Sequence, residues 1–110
     1  MSHSVLSPEH TQQQVDALSG QVLARVPALL DTAGKCLNDS QQLKLASHVR
    51  AMARRSLTGE GLPDFDRSLF DEISPVAMRL SQDVVALFGN LPSDEALLLS
   101  IHFEMAQNQA

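Results

Sequence analysis

The sequence predicts an all-α protein, and within that class a bundle of five helices. Apolar residues recur at intervals of three and four along most of the 110-residue chain, which places them on one face of each helix. Proline and glycine stand where helices usually begin and end. No segment alternates apolar and polar residues over the length of a strand, so we expect no sheet.

The ends of the helices can be placed from residues that cap helices. Pro27 should kink or divide the first helix, because proline removes a backbone donor and crowds the preceding turn. Asn38 and Gln41 have the spacing of a capping box for the second helix. The other signals, in chain order, are Ser7-Pro8 and Gly34 around the first helix, residues 66–73 as a short third helix, Ser74-Pro75 and Gly89 around the fourth, and Pro92 at the start of the fifth.

Length and composition indicate a single small domain. We expect residues 1–7 to form a flexible tail and residues 8–110 to form the helical domain. The net charge of −5 argues against direct binding to nucleic acid, which needs clustered basic residues. No apolar stretch is long enough to span a bilayer, and Cys36, the one cysteine, cannot form a disulfide within the chain. These features predict a cytoplasmic protein that does not contact a membrane.

The last predicted helix, in residues 91–106, is the most apolar stretch of the chain. Its first turn is acidic, which suits the positive end of the helix dipole. The apolar residues that follow cover more than half of the helix circumference, so we expect this helix at the centre of the bundle with Leu98 facing inward. His102 lies in the middle of the apolar arc, where a titratable ring is either a hydrogen-bonded core residue or part of a site.

His48 and His102 are the candidates for a functional site among the four histidines. Each lies at or within an apolar helix face, whereas His3 belongs to the tail and His10 to the first turn of the first helix, where we expect it at the surface. The pair could be core residues, ligands of a metal, or acceptors of a phosphoryl group. The residues alone leave these three interpretations open.

Metal binding and enzymatic catalysis have little support in the spacing of polar residues. No histidine stands three or four positions from another, and no carboxylate is placed to complete a metal site. The chain has no glycine-rich phosphate loop and no serine beside a base. We therefore predict no enzymatic activity, no metal site and no cofactor.

Phosphoryl acceptance fits the residues around His48. An imidazole nitrogen is nucleophilic and mostly neutral near pH 7, so it can accept a phosphoryl group. The product is a dianion that needs a cationic neighbour. Arg55 follows His48 by seven residues, which places the two side chains about 20° apart around the helix. Arg55 could therefore donate hydrogen bonds to the phosphate.

At these positions the sequence resembles the phosphotransferase-system regulation domain family, abbreviated PRD. The first motif of that family is a histidine followed by an aliphatic residue, with an arginine seven positions after the histidine, and here it reads His48-Val49 and Arg55. The second motif is a proline, an acidic pair and a histidine eight positions after the first acid. Here it is formed by Pro92, Asp94-Glu95 and His102. The resemblance extends over residues 15–106.

The resemblance implies a PRD-like five-helix bundle that forms a homodimer. It implies that His48 and His102 lie close together and accept phosphoryl groups, with Arg55 contacting the phosphate. The donors would be phosphocarrier or transporter-subunit proteins of the sugar phosphotransferase system. Because the resemblance covers nearly the whole chain, we expect a stand-alone regulatory domain that controls transcription or a catabolic operon through another protein.

Two alternative functions remain for such a bundle. It could be a helical interaction module that has lost phosphoacceptance. It could instead be a small bundle that binds a metal or a ligand through His48 and His102. In each case the single alanine variants of His48, His102 and Arg55 are expected to fold, so uptake of phosphate can separate these functions.

Overall fold

The fold is a bundle of α-helices with one very short pair of strands. The computed structural model describes residues 8–109, so the predicted tail and the predicted N-cap at Ser7 lie outside the described residues. None of the helices in the described part is long and apolar enough to cross a membrane. In chain order the elements are α1 (Pro8–Leu23), α2 (Val26–Ala33), β1 (Lys35–Cys36), α3 (Asp39–Thr58), a 3-10 turn (Arg67–Phe70), α4 (Pro75–Phe88), α5 (Asp94–Glu104) and β2 (Gln107–Asn108).

Most of the predicted capping residues lie at the ends of the observed helices. Asn38 and Gln41 form the reciprocal capping box of α3, with the backbone N–H of Gln41 donating to Asn38 Oδ1 at 2.8 Å and that of Asn38 to Gln41 Oε1 at 2.9 Å. The hydroxyl of Ser74 accepts the N–H of Ala77 at the start of α4. Gly34 ends α2 at a φ of 70°, a left-handed conformation that disfavours other residues. These predictions are confirmed.

If α1 and α2 are counted as the two halves of the first predicted helix, residues 8–109 form four helices rather than the five predicted. The first predicted helix is interrupted at Ala24 and Arg25, so that α1 and α2 are two halves of it, as the position of Pro27 indicates. Residues 66–73, predicted as the third helix, form only the 3-10 turn, which Asp66 caps through the N–H of Ser68. This segment is too short to nucleate an α-helix readily. The hydrogen bond from the Ser68 N–H to the Asp66 side chain also competes with helical hydrogen bonding.

The short sheet was not predicted. β1 and β2 pair antiparallel, with Lys35 opposite Asn108. Lys35 Nζ donates to Asn108 Oδ1 at 2.7 Å, and the backbone N–H of Gln109 donates to the carbonyl of Gly34 at 2.9 Å. Strands of two residues are too short to show an alternating pattern, so the sequence carries no signal for them. The pair ties the end of the chain to the segment between α2 and α3.

The core lies among all the helices from α1 to α5, and α5 contributes one face to it. Leu99 and Phe103 of α5 are buried against the other helices. The opposite face remains open, because Ile101 is 49% exposed and Met105 is 63% exposed. Leu98 is only half-buried, so the prediction that it faces the core is wrong. The apolar arc of α5 is wider than the face that packs against the other helices. The remainder of the arc therefore forms an apolar strip on the surface.

Candidate functional site

The side chains of His48 and His102 meet across the interface between α3 and α5. Nδ1 of His48 lies 3.1 Å from Nε2 of His102, although the two residues are 54 positions apart in the chain. The ring centroids are 4.9 Å apart and the ring planes are inclined at 80°, so one ring presents its edge to the other. The expectation that these histidines lie close together is confirmed.

Three contacts show how α3 and α5 are aligned. Gln41 Nε2 donates to the carbonyl of Met105 at 2.8 Å, His48 meets His102, and Arg55 meets Glu95. From one contact to the next, the residue number increases on α3 and decreases on α5. The two helices therefore run antiparallel. The histidines lie in the middle of this interface, and their positions are held by polar contacts on both sides.

Arg55 forms a two-pronged ion pair with Glu95. Its Nε donates to Oε2 and its Nη2 donates to Oε1, each at 2.7 Å. The side chain of Glu95 is 1% exposed, whereas that of Arg55 is 18% exposed. The hydrogen bond to Glu95 raises the pKa of Arg55, because it stabilises the charged guanidinium. The sequence interpretation did not assign this role to Glu95, although an acid on the buried side of an apolar helix requires such a partner.

The histidine pair borders an open groove with a volume of about 550 Å³. Lys44 and Arg55 are its cationic residues, and none of the described residues that line it is acidic. Cationic side chains in such a groove can donate charge-assisted hydrogen bonds to an anion such as a phosphoryl group. The residues that line the groove are Lys44, Ser47, His48, Ala51, Arg55, Leu62, Pro63, Leu98 and His102.

Both histidines are held in the neutral form at pH 7. Burial, together with the nearby His102 and Arg55, lowers the pKa of His48 to about 4, and the opposing effect of Glu95 is smaller. Burial also lowers the pKa of His102, with a contribution from the positive charge of Lys44. A neutral imidazole keeps one nitrogen lone pair, which is what a nucleophile or a proton acceptor requires.

The four ring nitrogens of the pair have different surroundings. His48 Nδ1 and His102 Nε2 face each other. His48 Nε2 is buried, and it has no hydrogen-bond partner within the described part of the chain. His102 Nδ1 is not among the fully buried, unpartnered atoms of the described residues, and the half-buried His102 side chain lines the groove.

The other polar candidates lie elsewhere. His3 and the side chain of His10 lie outside what the structure describes. Cys36 is exposed and lies in β1, away from the histidine pair. In residues 8–109, no group of three or more histidine, cysteine or carboxylate side chains is arranged to hold a metal ion. The structure brings the predicted site residues His48, His102 and Arg55 together at the groove.

Comparison with known proteins identifies a similarity that covers nearly the whole chain. Neither a family model nor a curated protein matches the chain. A solved structure does match it: the crystal structure, at 1.38 Å resolution, of a PRD-containing transcription regulator from Lactobacillus casei ATCC 334. The two chains are 30% identical with a TM-score of 0.76, over 92% of this chain and 95% of the other. Identity at this level over nearly the full length of both chains shows that the protein belongs to the PRD family.

Proposed function

We propose that the protein is a cytoplasmic regulatory module of the sugar phosphotransferase system, in which His48 and His102 accept phosphoryl groups. The observation that carries the proposal is the pair of neutral imidazoles, 3.1 Å apart, at a groove lined by Lys44 and Arg55. The phosphoryl donors would be phosphocarrier or transporter-subunit proteins of that system. The similar chain from Lactobacillus casei is described as a transcription regulator, which supports an output at the level of transcription or of a catabolic operon.

The charges around the groove support phosphoacceptance. A phosphohistidine carries close to two negative charges at pH 7, and these need cationic partners. Two of the five N–H donors of Arg55 are bonded to Glu95, so the remaining donors can bond to a phosphate oxygen. Lys44 contributes a second positive charge beside His102. The Arg55–Glu95 pair is neutral overall, so Arg55 supplies N–H donors to the phosphate and Lys44 supplies the net positive charge of the groove.

The second part of the proposal is that the protein acts as a homodimer. Ile101 and Met105 form an exposed apolar strip with the half-buried Leu98, and this strip lies beside His102 on α5. A second copy of the chain is the occupant that the proposal assigns to this strip. In that arrangement, a charge added at the histidines would lie at the edge of the dimer contact.

Intact-mass measurement tests phosphoacceptance directly. The purified protein is incubated with a phosphocarrier protein and its phosphoryl donor, with the His48→Ala, His102→Ala and double variants in parallel. The wild-type chain should gain acid-labile phosphoryl groups, each single variant should gain fewer, and the double variant should gain none. Equal absence of labile phosphate in the wild-type chain and in the double variant would contradict the proposal.

The same measurement separates the alternative functions. An interaction module that has lost phosphoacceptance would remain unlabelled while its stability and assembly are normal. A metal site at His48 and His102 would have only two protein ligands, because no described residue supplies a third. Phosphoacceptance is therefore the function that the groove supports best.

A further inference from the structure

The groove leaves one ring nitrogen of the histidine pair open to an incoming group. His48 Nε2 is buried, and His48 Nδ1 and His102 Nε2 block each other at 3.1 Å. His102 lines the groove, and by elimination its Nδ1 is the nitrogen of the pair that can face an incoming group. A phosphoryl group that reaches the folded pair therefore meets this atom first.

The shared hydrogen bond determines which nitrogen carries a lone pair. In the first arrangement, His48 Nδ1–H donates to His102 Nε2. The free lone pair is then on His48 Nε2, which is buried, and His102 Nδ1 carries a proton. If His102 Nε2–H donates, the free lone pair is on His102 Nδ1 at the groove. Only this second arrangement can attack phosphorus without separation of the rings. In it His48 Nδ1 accepts the hydrogen bond and keeps the proton of His102 on Nε2.

We propose that His102 Nδ1 receives the first phosphoryl group and that His48 is a positioning residue that holds His102 in its reactive tautomer. This inference rests on the proposed function. In the step, a bond forms between His102 Nδ1 and phosphorus while the bond between phosphorus and the imidazole of the donor phosphohistidine breaks, and the donor ring keeps the electron pair. The positive charge that develops on the His102 ring is relieved because its Nε2–H is shared with His48 Nδ1.

The order of modification follows from the same geometry. His48 has no open nitrogen while the rings are paired, so its own phosphorylation requires that they separate. The phosphate dianion on His102 would then bind in the groove beside Lys44. This would happen before the rings separate and expose a nitrogen of His48. The proposal therefore predicts singly labelled protein at early times, with the label on His102.

The test combines intact mass with assignment of the phosphorylated nitrogen by two-dimensional ¹H–¹⁵N spectroscopy. The background carries His3→Gln and His10→Gln, so that only the pair can be labelled. The donors are a phosphorylated phosphocarrier protein and, separately, phosphoramidate, a small phosphoryl donor. The expected early product has one phosphoryl group on His102 Nδ1. A label that appears first on His48, or on His102 Nε2, would overturn the inference while leaving the proposed function intact.

Two substitutions of His48 test its positioning role. His48→Asn places an amide oxygen near the position of Nδ1 and can still accept the hydrogen bond, whereas His48→Leu cannot. His48→Asn should label His102 within several-fold of the wild-type rate, and His48→Leu should be slower by at least about tenfold, a difference that is about 1.4 kcal/mol in barrier. Equal rates in the two variants would overturn the role. If neither donor labels any chain, the proposed function itself fails and the inference falls with it.

Discussion

Arg55, at the edge of the groove, and the buried Glu95 form a two-pronged ion pair across the α3–α5 interface, two helical turns from His48. Glu95 lies in the first turn of α5, and both oxygens of its carboxylate accept hydrogen bonds from the guanidinium. This pair fixes the spacing of the two helices that carry the histidines. It also gives Arg55 a structural role in addition to the phosphate contact that the sequence predicts.

The first prediction is that Arg55→Ala destabilises the domain strongly. Removal of the guanidinium leaves Glu95 buried without a partner, a change that typically costs about 3–5 kcal/mol. Urea unfolding monitored by circular dichroism measures the loss. The expectation from sequence, that this variant folds normally, is revised because it did not include the contact with Glu95.

The double variant Arg55→Met with Glu95→Met is the matched control for this prediction. Replacement of both partners by apolar side chains of similar length removes both buried charges, so stability should return to within about 1–2 kcal/mol of the wild-type value. Phosphoryl uptake should remain low, because the phosphate has lost a cationic partner. Wild-type stability in Arg55→Ala would show that Glu95 is not held by this pair.

The second prediction concerns acid. The pKa of His48 in the folded protein, about 4, is below its unfolded value of 6.5, so between these values the unfolded chain binds more protons. Stability therefore rises with pH in this window and is lost as the pH falls from about 6.5 towards about 4. After allowance for solvent screening of a partly exposed ring, the loss should be about 2 kcal/mol. Urea unfolding at a series of pH values measures it.

The His48→Leu variant is the control for the acid prediction. Its free energy of unfolding should change less between about pH 7 and pH 5 than that of the wild-type protein. Asp66 and Glu104 do not contribute to this difference in slope. Hydrogen bonds from Ser68 lower the pKa of Asp66 and hydrogen bonds from Ser74 lower that of Glu104, so both carboxyl groups titrate below this pH window. The same slope in wild type and variant would show that His48 is not the group responsible.

The helices were predictable from local chemistry, whereas the contacts of the site needed the tertiary structure. Asn38 and Gln41 are three residues apart, so their capping box can be inferred from the sequence. Arg55 and Glu95 are 40 residues apart, and nothing local indicates which cation satisfies the buried acid. The pairing of His48 with His102 was expected only from the resemblance to a family. The pairing of Lys35 with Asn108 had no signal at all, because its strands are too short.

The third prediction compares aspartate at two neighbouring positions of α5. Leu99 is fully buried, so Leu99→Asp places an unpaired carboxylate in the core at a cost of several kcal/mol, against a total stability of about 5–15 kcal/mol. Leu98 borders the groove, so Leu98→Asp should fold with a much smaller loss. Thermal unfolding distinguishes the two variants. Equal melting temperatures would show that the two positions of α5 are not buried differently.

The last prediction is that the apolar strip on α5 holds two copies of the chain together. Ile101→Lys and Met105→Lys put charges on residues that are 49% and 63% exposed, so the isolated chain should fold normally while the dimer weakens. A stable dimer would bury about 1,200–2,000 Å² in total, and charges at its centre should raise the dissociation constant at least tenfold. Light scattering at tens of micromolar measures the mass. Val76→Lys, on α4 at 42% exposure, is the control and should leave the dimer unchanged. A wild-type chain that is monomeric at these concentrations would rule out the dimer, and equal weakening by Val76→Lys would place the contact elsewhere.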